Sequence, residues 1–373
     1  MSRPGTAGNL MTVMAVSKVA DRMVKRRGTG SMMSSRYHTS RPQAALSLIL
    51  ALALSAALAL SVALPVALPT QAQAQAGGAA QAAALVAPGA PAAPGAPAAI
   101  CVSAGRKHRR LAARMSRRIA VALRGRSSVV GLAVADTRTG VTCKLHQWRP
   151  FHSASIVKVI ILGALLRHLM VVHRQLTPEQ VTLTTAMITE SSNSAATELW
   201  DELGRRRLQR FLDLAKMTHT RLGQGGFWGL TWVIAHDELL LLKVIKARNS
   251  VLDWPSRVYA LSLMARVIPS ERWGVTAGAP ADMTAHVKNG WLPDPDLWVI
   301  NSIGVFTGRH RTYRIVVLTR DNPSMTYGVD TIQGVAEVIN HQLNPGVTEV
   351  IPPSAPYPSW GTPDERILPP ARR

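Results

Sequence analysis

The stretch "FHSASIVKVIILGALL", residues 151–166, places Ser155 three positions ahead of Lys158, at the start of an apolar run. Residues about one turn apart on a helix are neighbours, so a helix beginning here brings the two side chains together. A serine at a helix start is usually an N-cap, but it is a nucleophile when a base such as a lysine of lowered pKa lies within reach. Only 9 of the 43 basic residues are lysines, so Lys158 is poorly explained as routine surface charge. Both interpretations of Ser155 remain open at this point.

A second short motif, Ser191-Ser192-Asn193, lies in "MITESSNSAATEL", residues 187–199. The hydroxyl of Ser191 and the carboxamide of Asn193, two positions apart, could relay a proton and bind the amide of a substrate. The same residues also predict an N-cap ahead of a helix, and the motif taken alone favours the cap.

A third motif, Lys288-Asn289-Gly290, stands at the end of an apolar strand signal. A lysine and a side-chain donor there can bind a carboxylate, and the glycine leaves room for a substrate to lie along the strand. By itself this sequence is typical of an ordinary turn.

The region between residues 101 and 344 has strand signals at both ends and helical periodicity in the middle. An amphipathic helix with a basic face is predicted near the start, from apolar residues that recur every four positions: Leu111, Met115, Ile119 and Leu123. Two apolar runs around "DTRTG" predict a hairpin. The pattern predicts an α+β domain, with an antiparallel sheet formed by N- and C-terminal strands and a central helical region.

In this order, the three motifs resemble the Ser-x-x-Lys, Ser-Asp-Asn and Lys-Thr-Gly set of the serine β-lactamases and penicillin-binding proteins. The segment "MITESSNSAATEL" is similar to the class A pattern well beyond its triplet. The resemblance covers roughly residues 111–343 and implies a β-lactamase/transpeptidase-like fold. The chain departs from the family at two positions, since Ser192 stands where Asp is expected and Asn289 where Thr or Ser is expected.

The resemblance implies four catalytic residues. Ser155 is the expected acylated nucleophile, and Lys158 is its general base or orienting partner. Ser191 is expected to pass a proton to the departing amide nitrogen, assisted by Lys288.

The resemblance also implies a substrate-binding set. Asn193 is expected to bind the amide of the substrate, and Asn289 with Gly290 its carboxylate side. The backbone N–H groups of Ser155 and Trp291 are expected to form the oxyanion hole, which is often the largest electrostatic contribution to acyl transfer.

One family feature is missing from the sequence. Class A β-lactamases activate the deacylating water with a glutamate on a loop between the second and third motifs, followed four residues later by asparagine. No glutamate between Asn193 and Lys288 has asparagine at that offset. The segment "GQGGFWGLTW", residues 223–232, suggests that the loop is shortened. We therefore expect an acyl-enzyme that persists, as in a penicillin-binding protein.

The first 76 residues predict an extended signal peptide. A basic stretch precedes an uncharged run over residues 44–64, and the alanine-rich region that follows offers cleavage sites at Ala74 or Ala76. Because the run of 21 residues can also span a bilayer, an uncleaved anchor is the alternative. Residues 77–100 predict an Ala/Pro/Gly-rich linker, residues 101–344 the hydrolase domain, and residues 345–373 a proline-rich tail.

The two cysteines, Cys101 and Cys143, both lie in the part predicted to be exported. An oxidising compartment favours a disulfide between them, and two free buried thiols are the alternative. The eleven histidines show no metal-ligand spacing with a nearby acid, so we expect neither a metal nor another cofactor.

The net charge of +22 falls to +15 on the predicted mature chain, because residues 1–76 hold 8 basic residues and 1 acid. For an exported protein this charge favours anionic cell-envelope polymers or lipid headgroups as partners, rather than nucleic acid. We expect a secreted, extracytoplasmic monomer.

Two functions follow from the sequence. The first is a serine hydrolase that forms an acyl-enzyme on Ser155 with a β-lactam or a peptidoglycan stem-peptide-like amide and releases it slowly, with a part in the response to β-lactam antibiotics. The second is a catalytically weak or inactive pseudoenzyme of the same fold that binds the cell envelope.

Overall fold

The computed structural model describes residues 99–294 and 296–352. The predicted signal peptide, most of the predicted linker and most of the predicted tail lie outside these residues.

The strands in this part of the chain are β1 (Cys101–Ser103), β2 (Val129–Asp136), β3 (Val141–Leu145), β4 (Pro150–His152), β5 (Trp232–Ile234), β6 (Thr284–Asp294), β7 (Leu297–Gly308) and β8 (Arg311–Asn322). They form a six-stranded antiparallel sheet in the order β1-β3-β2-β8-β7-β6 and a two-stranded sheet of β4 and β5. The sheet joins distant parts of the chain where β2 pairs with β8. The predicted α+β fold, with its sheet formed by N- and C-terminal strands, is confirmed.

Seven α-helices cover the sheet in the described residues. They are α1 (Arg109–Ala122), α2 (Val157–Val171), α3 (Pro178–Thr189), α4 (Asn193–Leu214), α5 (Ala235–Lys246), α6 (Trp254–Ala265) and α7 (Met325–Leu343). Alternate residues of β8 enter different cores, since Val316 packs with the central helices while Val317 packs with α1 and α7. This alternation, which follows from the two-residue period of a strand, buries both faces of the sheet.

Helix α2 is predominantly apolar around its circumference, as expected of a helix that runs through the protein interior. Among the described residues, the segment Ala154–Val171 is the one helical stretch long and apolar enough to cross a membrane, and 78% of it is buried inside the domain. The helix therefore anchors the residues at its N-terminal end, Ser155 and Lys158, in a rigid core.

The predicted disulfide is confirmed. Cys101 and Cys143 are bonded, and they are register partners on β1 and β3. The bridge fastens the first strand of the domain to the hairpin of β2 and β3, and it is typical of proteins that fold in an oxidising compartment.

Candidate active site

Ser155 lies in a 3-10 turn, Ala154–Ile156, that leads directly into α2. The residues at the N-cap positions of this turn and of α2 are Ser153 and Ile156, and neither makes a side-chain cap hydrogen bond. The interpretation of Ser155 as a helix cap is therefore wrong: its hydroxyl is turned to Lys158, whose Nζ lies 2.9 Å from Ser155 Oγ.

The turn before Ser155 is held from two sides. Asn301 on β7 donates to the carbonyls of His152 and Ser153, at 2.8 and 3.1 Å, and the Ser153 N–H donates to the Thr231 carbonyl at 2.8 Å. Ala154 has a positive φ of 47°, a left-handed conformation that costs a non-glycine residue about 1–3 kcal/mol. These hydrogen bonds hold the backbone in that conformation.

Lys158 is the centre of the polar cluster and is completely buried. Its Nζ donates to the Ser191 carbonyl at 2.6 Å and to Asn193 Oδ1 at 2.7 Å, and it also lies 3.2 Å from Ser191 Oγ. The carbonyl and the carboxamide oxygen can only accept hydrogen bonds, so they take two N–H groups of the amine. The amine is thereby oriented for proton exchange with the Ser155 hydroxyl.

The three residues of the second motif, Ser191-Ser192-Asn193, make different contacts. Ser192, which stands in place of the expected Asp, is the N-cap of α4 and accepts from the Ala195 N–H at 3.3 Å. Ser191 has a φ of 59°, and with Asn193 it turns inward to Lys158. The cap interpretation is correct for Ser192, while Ser191 and Asn193 contact Lys158 and their roles in catalysis stay predictions.

Lys288 reaches the same cluster from β6. Its Nζ donates to Ser191 Oγ at 2.8 Å and to the Asn289 carbonyl at 3.0 Å, and the side chain is completely buried. Burial lowers the pKa of Lys288 to about 8, although the nearby carboxyl of Glu271 acts to raise it. Amines on α2 and β6 therefore converge on one hydroxyl.

Asn289 is not brought into the cluster. Its side-chain amide donates to the carbonyls of Glu271 and Trp273, at 2.8 and 3.0 Å. Successive side chains of a strand point to opposite faces, so Asn289 faces away when Lys288 faces the cluster. This placement gives no support to the predicted contact between Asn289 and the carboxylate side of a substrate.

Gly290 lies against the nucleophile turn. A Cβ on this residue would stand 2.6 Å from the Ser155 N and 2.9 Å from the Ser153 carbonyl oxygen, distances that side chains do not tolerate. Only glycine lets β6 approach this closely, and the approach brings the Gly290–Trp291 backbone beside the Ser155 N–H. The oxyanion hole of Ser155 and Trp291 stays a prediction.

Two residues beside the cluster were not predicted. Glu271 is buried, and its Oε2 has no hydrogen-bond partner among the described residues. Burial raises the pKa of this carboxyl, while Lys288 and Lys158 act to lower it. The ring of Trp228 lies over the Lys158 ammonium, with 4.9 Å between Nζ and the ring centroid. Neither residue belongs to a local motif, so no sequence pattern indicated a place for it in the site.

The described residues contain no group of three or more His, Cys, Asp or Glu side chains placed to hold a metal ion. Glu190 and Glu198, the acids nearest to the second motif in sequence, are both exposed. The site is therefore built from amines, hydroxyls and amides, with Glu271 at its border.

The β-lactamase enzyme family matches the chain over residues 171–343, which include the second and third motifs. No curated protein matches it. Solved structures with the same fold include a class A β-lactamase from Bacteroides cellulosilyticus, with a TM-score of 0.55 and 15% identity over 62% of this chain and 97% of that one. A β-lactamase from Xanthomonas campestris has a TM-score of 0.55 and 18% identity over 63% and 99%.

The penicillin-binding protein PBP-A is a further neighbour. A mutant of it, solved as an acyl-enzyme complex with penicillin G, has a TM-score of 0.53 and 17% identity over 62% of this chain and 96% of that one. These comparisons confirm the predicted resemblance to the serine β-lactamases and penicillin-binding proteins.

Proposed function

We propose that this chain, which has the fold of the serine β-lactamases and penicillin-binding proteins, is an exported serine hydrolase that forms a slowly released acyl-enzyme on Ser155. The observation that carries the proposal is the contact of 2.9 Å between Ser155 Oγ and Nζ of the completely buried Lys158. A nucleophile needs a base within about 2.6–3.2 Å, and this contact meets the requirement.

Acylation begins when Lys158 takes the Ser155 proton and Ser155 Oγ bonds to the carbonyl carbon of the substrate. The oxyanion is stabilised by the N–H groups of Ser155 and Trp291. When the carbon–nitrogen bond breaks, the Ser191 hydroxyl protonates the departing nitrogen, and the Ser191 oxygen is reprotonated from Lys158 or Lys288, which lie 3.2 and 2.8 Å away. The products are an ester on Ser155 and a free amine.

The substrate class is an amide next to a carboxylate, as in a β-lactam or a peptidoglycan stem peptide. With a pKa of about 8, Lys288 is mostly charged at neutral pH, and Coulomb attraction favours an anionic group beside it. Asn193 supplies a carboxamide next to the nucleophile for the substrate amide.

Slow release follows from the lack of a suitable water base. Glu190 and Glu198 are exposed, and no glutamate has the sequence spacing of the class A water-activating residue. Glu271 is the buried carboxyl at the border of the cluster, so it is the side chain to test for that role. Export of the protein is supported by the Cys101–Cys143 disulfide.

A binding function without catalysis is the second candidate. The orientation of Asn289 favours it, because the side chain expected to contact the substrate carboxylate is turned away. An exposed basic face on α1 could then serve to bind anionic envelope polymers. It comprises Arg109, Arg110, Arg114, Arg117 and Arg118.

The test is covalent labelling by a fluorescent penicillin, read by gel fluorescence and intact-mass spectrometry. We expect a single adduct that is absent in Ser155→Ala, and labelling slowed about 10²–10⁴-fold in Lys158→Ala by loss of the proton acceptor. Ser194→Ala and Lys216→Ala, which change exposed residues, are the matched controls. No adduct on the wild type, or an adduct that survives Ser155→Ala, contradicts the proposal.

Release is measured on the same adduct. We expect slow decay and little turnover of a chromogenic cephalosporin. Rapid multiple turnover that is lost in Glu271→Gln would show that this carboxyl activates water, and it would contradict slow release while leaving the nucleophile in place.

A further inference from the structure

Trp228 forms a wall of the polar cluster. The side chain is completely buried, and its ring face lies 4.9 Å from Lys158 Nζ, while Nζ in turn lies 2.9 Å from Ser155 Oγ. The indole Nε1 donates to Thr197 Oγ1 at 3.0 Å. The ring therefore covers the amine with carbon atoms, and the indole N–H is directed to α4.

The loop that carries Trp228 is tied to the nucleophile turn. Ser153 Oγ donates to the Gly229 carbonyl at 3.3 Å, and the Ser153 N–H donates to the Thr231 carbonyl at 2.8 Å. The loop is closed on itself where the Gly223 N–H donates to Thr231 Oγ1 at 3.1 Å. Gly223 also allows a close backbone approach, since a Cβ there would stand 1.9 Å from the Phe227 carbonyl oxygen.

A ring in this position opposes hydrolysis of an ester on Ser155. A buried water needs space for one molecule and two to four polar partners, and the carbon face of an indole supplies neither. The attraction between an ammonium and the ring face, worth about 0.5–2 kcal/mol, also holds the amine against the ring. Water on the Trp228 side is thus kept from Lys158, the base closest to Ser155.

We propose that Trp228 is a shielding residue that sets the lifetime of the acyl-enzyme by excluding water from the Lys158 side of Ser155. The proposal rests on the proposed acylation of Ser155. In the step that it suppresses, a water oxygen bonds to the acyl carbon and the water proton passes to Lys158. The bond from that carbon to Ser155 Oγ then breaks, Lys158 returns the proton to Ser155 Oγ, and the product is a free carboxylic acid.

The test compares acylation and deacylation rate constants in Trp228→Ala and Trp228→Phe. Wild type and variants are acylated with penicillin G, freed from excess reagent, and followed by intact-mass spectrometry. We expect deacylation at least about tenfold faster in Trp228→Ala, which opens the space to water, with acylation changed much less. Trp228→Phe keeps a ring over the amine, so its deacylation rate should return to within about threefold of the wild type.

Two further variants serve as a control and as an alternative to Trp228→Ala. Phe306→Ala removes a buried aromatic side chain that stacks on Tyr313 in the other core, and we expect no change in deacylation from it. Thr197→Val removes the acceptor of the indole N–H without truncating the ring. It should accelerate deacylation moderately, and it replaces Trp228→Ala if that variant does not fold.

The possible outcomes separate the two proposals. If the wild type forms no adduct on Ser155, the proposed function fails and this inference fails with it. If the adduct forms but decays equally fast in wild type, Trp228→Ala and Thr197→Val, the shielding role alone is overturned. Equal acceleration by Phe306→Ala overturns it too, because general loosening of the domain would then explain the effect.

Discussion

Replacing Lys288 with methionine should stabilise the folded protein while slowing acylation. Burial lowers the pKa of Lys288 from the ordinary 10.5 to about 8, and this difference corresponds to about 3 kcal/mol. That free energy is the cost of keeping the ammonium charged inside the protein. A methionine of similar length has no such cost, so Lys288→Met removes the penalty together with one of the two amines proposed to reprotonate Ser191.

The pH dependence of the penalty has a defined sign. Below pH 8, Lys288 is protonated in both the folded and the unfolded chain, and the penalty of about 3 kcal/mol is fully present. Between about pH 8 and 10.5 the unfolded chain binds more protons, so the contribution of Lys288 to the free energy of unfolding rises with pH. At pH 9.5 the remaining penalty is about 1 kcal/mol.

Urea denaturation of wild type and Lys288→Met at pH 7 and pH 9.5 measures this difference. We expect the variant to be more stable by up to about 3 kcal/mol at pH 7 and by about 1 kcal/mol at pH 9.5. Because the change also removes one of the two lysines that act on Glu271, the comparison is repeated in a Glu271→Gln background. A difference in stability that is the same at both pH values, or a variant less stable than wild type in both backgrounds, would refute the reasoning.

Two further predictions concern the backbone around the site and the disulfide. Gly290→Ala should slow acylation by penicillin about 100-fold, because the new Cβ would stand 2.6 Å from the Ser155 N and must displace the nucleophile turn. Gly334→Ala, at a half-buried position of α7 where a Cβ meets open space, is the control, and equal labelling of both variants would contradict the prediction. Removing the disulfide by changing Cys101 and Cys143 to alanine should lower the free energy of unfolding by about 4 kcal/mol, because the bridge closes a loop with a sequence separation of 42 residues. An unchanged midpoint of urea denaturation would contradict this prediction.

The sequence predicted the polar cluster because three short motifs, each weak alone, occur in a fixed order. Ser155 and Lys158 are separated by about one helical turn, so the contact between their side chains follows from local geometry. The contact of Lys288 with Ser191 spans 97 positions, and only the resemblance to a family predicted it. The orientation of Asn289 could have been predicted from the sequence, since strand alternation excludes it from the face that Lys288 occupies.

Trp228 and Glu271 could not be predicted, for a physical reason. Each reaches the cluster from a loop whose path is set by long-range hydrogen bonds, such as those from Asn289 to the carbonyls of Glu271 and Trp273. A local pattern of apolar and polar residues carries no information on such contacts. The family resemblance also indicated nothing at these positions, because it specified a glutamate followed four residues later by asparagine, which this chain lacks between the second and third motifs.

The hydrogen bonds of Ser191 explain how a site rich in amines can still donate a proton to a leaving group. A hydroxyl has one proton to donate and two lone pairs that accept. Once Lys158 has taken the Ser155 proton, its third N–H can be donated to Ser191 Oγ at 3.2 Å, while Lys288 Nζ donates to the same oxygen at 2.8 Å, so both lone pairs of Ser191 Oγ are then engaged. The remaining O–H must therefore point away from both amines. We expect it to point to the position of the departing nitrogen.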